Sequence, residues 1–260
     1  MAIQKEKVTN VEHYTDRLFH ITTTRSPNIR FRDGEFLMIG IDNWSEKLQR
    51  NKPIMRAYSV ASPSHQDSLE FYSIKVQDGP LTSKLQHINV GDEILVNTKA
   101  VGTLITTNLK PGRTLYMLAT GTGIAPFMAL IRGFEVYENY DNVVLLHGVR
   151  EIKELAFDDY LNNLNADEIY SEITQDKFKY YPTVTREDFK NQGRVTDAMY
   201  TGEVQDKLGL EPFSPEHDRV MICGSMDLNL EIKDWLESMG FTEGTMKEPG
   251  EYVLEKAFVD

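Results

Sequence analysis

The sequence predicts a two-domain protein: an antiparallel β-barrel over residues 1–109, followed by an α/β domain on a parallel sheet over residues 110–260. Three observations carry this. At 260 residues the chain is long for one domain and suits two of about 100 to 150 each. Its first hundred residues read as short strands between turn residues, whereas the remainder alternates apolar strands with helical stretches. Charge is also unevenly divided. Of the net −12, residues 1–105 carry +1 (13 Lys/Arg against 12 Asp/Glu) and residues 106–260 carry −13 (15 against 28).

In the first region, strands are expected at 18–24, 35–40, 56–61 and 69–76, which are rich in β-branched and aromatic residues. Asp33-Gly34, Asp78-Gly79 and Gly91-Asp92 supply turns or strand ends, and one short helix is expected near 81–87. Many strands at short spacing suit a closed or nearly closed barrel. Character changes at Lys110-Pro111-Gly112-Arg113, which marks the junction. Beyond it, strands at 114–119, 142–147, 178–184 and 219–223 are each followed by a helix, at about 126–140, 154–164, 195–208 and 228–239. Residues 251–258 read as a closing strand. That order predicts parallel strands with helices on both faces.

Composition narrows the function classes. Hydrophobic residues make up 40% of the chain and mean hydropathy is −0.41, as in a soluble globular protein with real cores. No apolar run is long enough to span a bilayer, and Met1-Ala2-Ile3-Gln4-Lys5-Glu6-Lys7 lacks the apolar stretch of a secretory signal. The single cysteine, Cys223, excludes an internal disulfide and a multi-cysteine metal site, so a reducing cytoplasm is the simplest setting. A net charge of −12 argues against nucleic acid as the main partner. His13, His20, His65, His87, His147 and His217 stand singly without metal-ligand spacing, and no metal is expected.

Five motifs carry candidate chemistry. In Arg56-Ala57-Tyr58-Ser59, alternation along a strand puts Arg56 and Tyr58 on one face. Arg56 offers a fork of donors for a phosphate, the Tyr58 ring can lie against a flat heteroaromatic system, and Ser59 can bond a ring nitrogen. Together these suit a flavin, although the tetrad also reads as an ordinary half-buried strand. In Gly79-Pro80-Leu81-Thr82-Ser83 a strand ends and a helix begins. Either its free amides and hydroxyls take a pyrophosphate, or Thr82 or Ser83 simply caps the helix.

Ala119-Thr120-Gly121-Thr122-Gly123-Ile124-Ala125-Pro126-Phe127 follows the first strand of the second domain. Gly121 and Gly123 let backbone approach a ligand, Pro126 suits a first helical turn, and open α/β sheets bind ligands at the carboxyl ends of their strands. The fingerprint G-x-G-x-x-G is absent, since Phe127 follows Pro126. Arg150, Arg186 and Arg194 fall near strand ends of the acidic half, where they can converge on a polyanion such as NADP or pair with Glu151, Glu187 or Asp188. Cys223-Gly224-Ser225-Met226 closes the fourth strand. The thiol either faces a reacting ring or is a small buried hydrophobe, and with no base beside it no thiolate nucleophile is expected.

R-A-Y-S, G-P-L-T-S, G-T-G-I-A-P-F, H-G-V-R, T-R…G-R, C-G-S and a terminal A-F-V stand in an order and spacing that resemble the ferredoxin–NADP(H) reductases of the short bacterial kind, also called flavodoxin reductases. The likeness runs from about residue 8 to Asp260. It implies an FAD-binding barrel and an NADP(H)-binding α/β domain. Arg56, Ala57, Tyr58 and Ser59 would hold FAD, with Tyr58 on one face of the ring and Ser59 near its reactive nitrogen. Phe71, Tyr72, Ser73, Ile74 and Lys75 would line the flavin. Gly79, Thr82 and Ser83, with Leu81 between them, would take the pyrophosphate. Thr122 and Cys223 would border the nicotinamide, beside Gly123 and Gly224. Arg150, Thr185, Arg186 and Arg194 would take the NADP phosphates. Glu255 matches a family carboxylate close to the flavin. Ala257 and Phe258 fall to the FAD site, Ala257 where plant-type members end in an aromatic that covers the flavin's other face. Here the chain continues through Phe258, Val259 and Asp260, as in the bacterial subclass.

The resemblance implies the reaction too: electrons exchanged between NADPH and ferredoxin or flavodoxin, by hydride transfer to FAD and one-electron steps to the carrier. Ser59, Cys223 and Glu255 are the residues expected at the chemistry, with Ser59 and Glu255 tuning the flavin by hydrogen bonding and local charge. Acidic carriers need a local positive patch on so acidic a chain, and Lys47, Arg50 and Lys52 are the expected docking residues, with a solvated loop as the alternative. Two other readings fit the same residues. One is a reductase of this architecture serving an oxygenase or free flavin, separated by assaying those acceptors. The other is a flavin-binding sensor, which NADPH would fail to bleach.

Overall fold

A computed structural model describes residues 2–45 and 49–256. In the first half, β1 (Ile3–His13), β2 (Leu18–Thr24), β3 (Phe36–Ile41), a small ribbon of β4 (Trp44–Ser45) and β5 (Arg50–Asn51), β6 (Ile54–Ser59), β7 (Ser68–Ile74), the one-turn helix α1 (Thr82–Leu85) and β8 (Glu93–Asn97) follow in order. Six strands pair antiparallel in the order β6-β3-β8-β1-β2-β7. Alternate residues of four strands (Phe19 and Ile21, Leu37 and Ile39, Leu69 and Phe71, Ile94 and Val96) point into one core and are fully buried. Each such side chain contributes about 1.5–3 kcal/mol of transfer free energy.

The two ends of that strand order determine the site. The barrel pinches at Ala61, whose N–H donates to the Glu70 carbonyl at 2.8 Å. From there β6 and β7 splay apart, without ladder pairing among the described residues, and leave a gap along Arg56–Ser59 and Tyr72–Ile74.

The second half carries β9 (Thr114–Thr120), α2 (Ala125–Arg132), α3 (Glu135–Asn139), β10 (Asn142–Val149), α4 (Asp158–Asn163), α5 (Tyr170–Thr174), β11 (Phe178–Val184), α6 (Val195–Tyr200), α7 (Glu203–Leu208), β12 (Asp218–Gly224), α8 (Met226–Ser238) and β13 (Tyr252–Lys256). All five strands are parallel, in the order β11-β10-β9-β12-β13. Leu115, Met117 and Ala119 of β9 face α2, α3 and α4, whereas Tyr116 and Leu118 face α6, α7 and α8. β9 is therefore buried on both sides, as its unbroken apolar run requires.

Three expected helices differ from the sequence reading. The one expected over 126–140 breaks at Gly133-Phe134 because the break docks on the barrel. A Cβ on Gly133 would lie 2.2 Å from Asp33 Oδ2, the Arg132 guanidinium reaches Glu70 and the Ala61 carbonyl, and Thr106 donates to Glu135. The helix expected over 195–208 splits at Gly202, which takes φ +77°. The helix expected from 154 begins only at Asp158, after a single 3-10 turn at Ile152–Glu154 closed by a Glu151/Glu154 capping box.

Leu18, Ala61 and Tyr72 of the barrel share one core with Leu115, Met117, Ala125 and Met128, so the two sheets meet across a packed seam. An ion pair closes it: Arg132 Nη2 lies 2.8 Å from Glu70 Oε2, and His20 Nε2 lies 3.4 Å from the same oxygen. Burial alone would raise the Glu70 pKa, but the neighbouring His20 ring and the hydrogen-bonded Arg132 guanidinium hold it down at about 2.

Candidate functional site

The gap between β6 and β7 is a cleft walled by Arg56, Ala57, Tyr58 and Ser59 on one side and Tyr72, Ser73 and Ile74 on the other. Val76, Gly79, Pro80, Leu81 and Thr82 close one end, and Thr122, Ala125 and Cys223 reach in from the second half. The Tyr58 hydroxyl lies 3.0 Å from Ser73 Oγ, which ties the ring to both strands. Phe71 stands edge-on behind it, ring centroids 6.3 Å apart, and belongs to the barrel core rather than to the cleft wall. The Tyr72 hydroxyl is buried without a hydrogen-bond partner among the described residues, a polar group left for a ligand or water. Gly79 forms a cradle, since a Cβ there would lie 2.2 Å from Thr82 Oγ1.

The capped-helix alternative for this segment is overturned. The N-cap of α1 is Leu81, with no side-chain cap bond, and the Thr82 hydroxyl instead donates to the Val76 carbonyl at 3.2 Å. Ser83 and Lys75 lie outside the cleft wall. Lys75 Nζ donates to the Thr15 carbonyl at 3.2 Å.

β9 runs into a 3-10 turn, Gly121–Ile124, and Pro126 opens the helix behind it. Two contacts hold that turn. His147, fully buried and kept neutral by burial that lowers its pKa to about 4, donates from Nε2 to the Gly121 carbonyl at 3.0 Å. Gly123 packs directly on β12, where a Cβ would stand 2.1 Å from the Cys223 carbonyl oxygen. Gly224 makes equal room on the other side, since a Cβ there would meet Thr120 Oγ1 at 2.3 Å.

A second cleft of about 630 Å³ opens over the carboxyl ends of the parallel strands, a volume in the range of small-molecule sites. Its walls include Thr120–Thr122 at the end of β9, Gly148–Arg150 at the end of β10, Thr185 after β11, Arg194–Thr196 at the start of α6, and Ser225–Leu228 at the start of α8. The loops after β9 and β12 leave adjacent strands in opposite directions, so the cleft sits at the topological switch point. Thr122 and Ile74 are walls of both clefts, which therefore meet there.

Of the expected arginines, Arg150 and Arg194 line the second cleft and Arg186 does not. The Arg186 amide donates to the Arg150 carbonyl at 3.0 Å. Arg194 forms an ion pair, as the surface-pairing alternative holds, but its partner is Glu231 (Nη1 to Oε1 3.2 Å), not one of the nearby acids. Glu187 instead accepts from the Ile152 amide at 2.6 Å. The sequence reading missed Arg17, Glu154, Met226 and Asp227, which also line this cleft. Arg17 comes from the turn before β2, and only the tertiary fold brings it there.

Cys223 is buried in the wall of the first cleft. Burial, and then the charge of Glu255, push its thiol pKa well above the ordinary value, so it is a neutral thiol. Glu255 is its partner in the β12–β13 register and is not part of the cleft wall. That carboxylate is 8% exposed. Oε2 accepts from the Thr103 amide at 3.2 Å, while Oε1 is buried without a partner among the described residues. Burial raises its pKa to about 7, with the Thr103 bond opposing and the Glu35 charge adding. Ala257, Phe258 and Lys47 lie outside the described residues. Among those described, no cluster of acidic, histidine or cysteine side chains could hold a metal ion, and no helix is long and apolar enough to cross a membrane.

Residues 117–232 match the family model described as an oxidoreductase NAD-binding domain. The chain is 49% identical over 257 residues to a ferredoxin–NADP reductase of Azotobacter vinelandii, spanning 98% of this chain and 97% of that one. To a flavodoxin/ferredoxin–NADP reductase of Rhodobacter capsulatus it is 51% identical over 257 residues, spanning 98% and 93%. Its fold superposes on the crystal structure of a ferredoxin NADP+ reductase from Neisseria gonorrhoeae with bound FAD and NADP at a TM-score of 0.88 and 30% identity, over 99% of this chain and 100% of that one.

Proposed function

The chain belongs to the ferredoxin–NADP reductase family, and from that premise we propose how its two clefts divide the work. It is an FAD-dependent oxidoreductase that exchanges electrons between NADPH and ferredoxin or flavodoxin. The observation that carries our assignment of residues is the shared wall at Thr122 and Ile74, which lets two ligands meet edge to edge. FAD belongs in the first cleft and the nicotinamide nucleotide in the second, with the domain division at 109/110.

When bound, FAD supplies a hydride acceptor that releases electrons singly. This chain's residues hold and shield it. Arg56, Gly79 and Thr82 suit the pyrophosphate, and the Tyr58 ring, tied down by Ser73, suits a flat partner. Ser59 presents a hydroxyl beside that ring. Thr122 and the neutral Cys223 thiol border the nicotinamide and keep water out, and Arg150, Thr185 and Arg194, which line the second cleft, serve the phosphates. The cytoplasm is the compartment we assign, since it keeps a lone thiol such as Cys223 reduced.

Ser59→Ala is expected to keep FAD bound and to slow flavin bleaching by NADPH about tenfold, the scale of one hydrogen bond. Anaerobic stopped-flow measures it, and an unchanged rate removes Ser59 from the chemistry. At the surface, Arg50 and Lys52 are exposed beside the first cleft's strand β6. Reversing both charges is expected to raise the KM for an acidic carrier about tenfold and to flatten its salt dependence, without changing NADPH oxidation by ferricyanide. A carrier KM equal to that of the wild type would place docking elsewhere.

A further inference from the structure

The two lips of the second cleft are joined by a charged pair. Arg194 opens α6 on one lip, and Met226 to Leu228 open α8 on the other. Glu231, further along α8, takes both terminal nitrogens of the Arg194 guanidinium. This is a two-pronged carboxylate contact, and it occupies the same donors that a phosphate would use. The pair is open to water, with side chains 53% and 30% exposed, unlike the buried Arg132–Glu70 pair at the seam. An exposed pair is weak enough to be exchanged. Glu231 also has a second partner, because the Tyr200 hydroxyl lies 3.3 Å from Oε1 and the Tyr200 ring packs on Trp235 at 4.9 Å. The carboxylate therefore keeps a hydrogen bond after Arg194 leaves.

We propose that Glu231 competes with the nucleotide's extra phosphate for Arg194, and so sets how strongly the second cleft prefers NADP(H) to NAD(H). This rests on the reading that Arg194 receives that phosphate. NAD lacks the group and has no need to displace Glu231, so the carboxylate taxes only the phosphorylated nucleotide. Glu231 is a specificity-determining residue that acts on the ligand through Arg194.

The test is direct binding of NADP+ and NAD+ to the FAD-loaded protein, read by difference absorbance of the flavin, for Glu231→Gln, Arg194→Ala and the double variant. A retained flavin spectrum confirms folding in each case. Glu231→Gln is expected to bind NADP+ roughly three- to fivefold tighter, the size of an exposed ion pair no longer given up, with NAD+ unchanged. In the Arg194→Ala background the same substitution is expected to change nothing. NADP+ binding that is unchanged or weaker in Glu231→Gln, while Arg194→Ala still loses NADP+, overturns the competition and leaves the Arg194 assignment standing. NADP+ binding untouched by Arg194→Ala overturns both.

Discussion

Replacing Gly123 with alanine is expected to slow the bleaching of bound flavin by NADPH about a hundredfold, with FAD still in place. The added Cβ would stand 2.1 Å from the Cys223 carbonyl oxygen, 2.6 Å from its carbonyl carbon and 3.0 Å from Gly224 Cα. All three are backbone atoms of β12, which is pinned between β9 and β13 by parallel pairing and cannot retreat. The turn at Gly121–Ile124 must move instead, carrying Thr122 out of the wall shared by the two clefts. A displacement of about 1 Å between reacting partners costs on the order of a hundredfold in rate. Most of the first cleft is built from β6, β7 and residues 76–82, which this substitution leaves alone. Gly121→Ala is the control. Nothing lies within 4 Å of its Cβ position, so its cost is the left-handed φ of +52° alone. Stopped-flow reduction and flavin content measure both variants. A Gly123→Ala enzyme that reduces at the wild-type rate would mean that the turn's position does not govern the approach of nicotinamide to flavin.

What was legible in the sequence was whatever local chemistry announces. The apolar strands β9 to β12, the glycine turn and the R-A-Y-S strand were each readable from their own residues. β1 was not, for a physical reason. Its register slips between Val8 and Asn10, which breaks the two-residue period on which strand recognition depends. It is also mostly exposed, with Glu6 and Val8 as its buried residues, so its place in the middle of the sheet is held by backbone pairing with β2 and β8. The break of the first long helix followed the same pattern. The cause is Asp33, a hundred residues away in the chain, in the barrel turn between β2 and β3. The Arg194–Glu231 pair spans 37 residues and two helices. No spacing rule links the two, and the nearer acids were the natural guess.

Glu255 makes the second large prediction, because the carboxylate works against the fold at neutral pH. Its pKa rises from 4.5 to about 7 on burial. Below about pH 4.5 it is protonated in both folded and unfolded chains and costs nothing. As pH climbs from there to about 7 the unfolded chain ionises first, and stability is lost throughout that window. Above it, the folded protein carries a buried charge whose penalty is on the order of 3 kcal/mol. Glu255→Gln removes the titration while keeping an oxygen for the Thr103 amide. The variant is expected to melt with the wild type near pH 4.5 and several degrees above it at pH 8, since about 1 kcal/mol shifts Tm by roughly 2–4 °C in a chain of this size. Thermal melts of the holoprotein across that range measure it. Coincident melts at pH 8 would mean that the carboxylate bears no such cost. An acid that costs stability beside a cleft wall is a candidate for a role in the reaction, and Glu255 is the register partner of Cys223, which lines the first cleft. Slower bleaching by NADPH in the more stable variant is the matching expectation, and the two measurements together separate a carboxylate retained for the reaction from one tolerated by the fold.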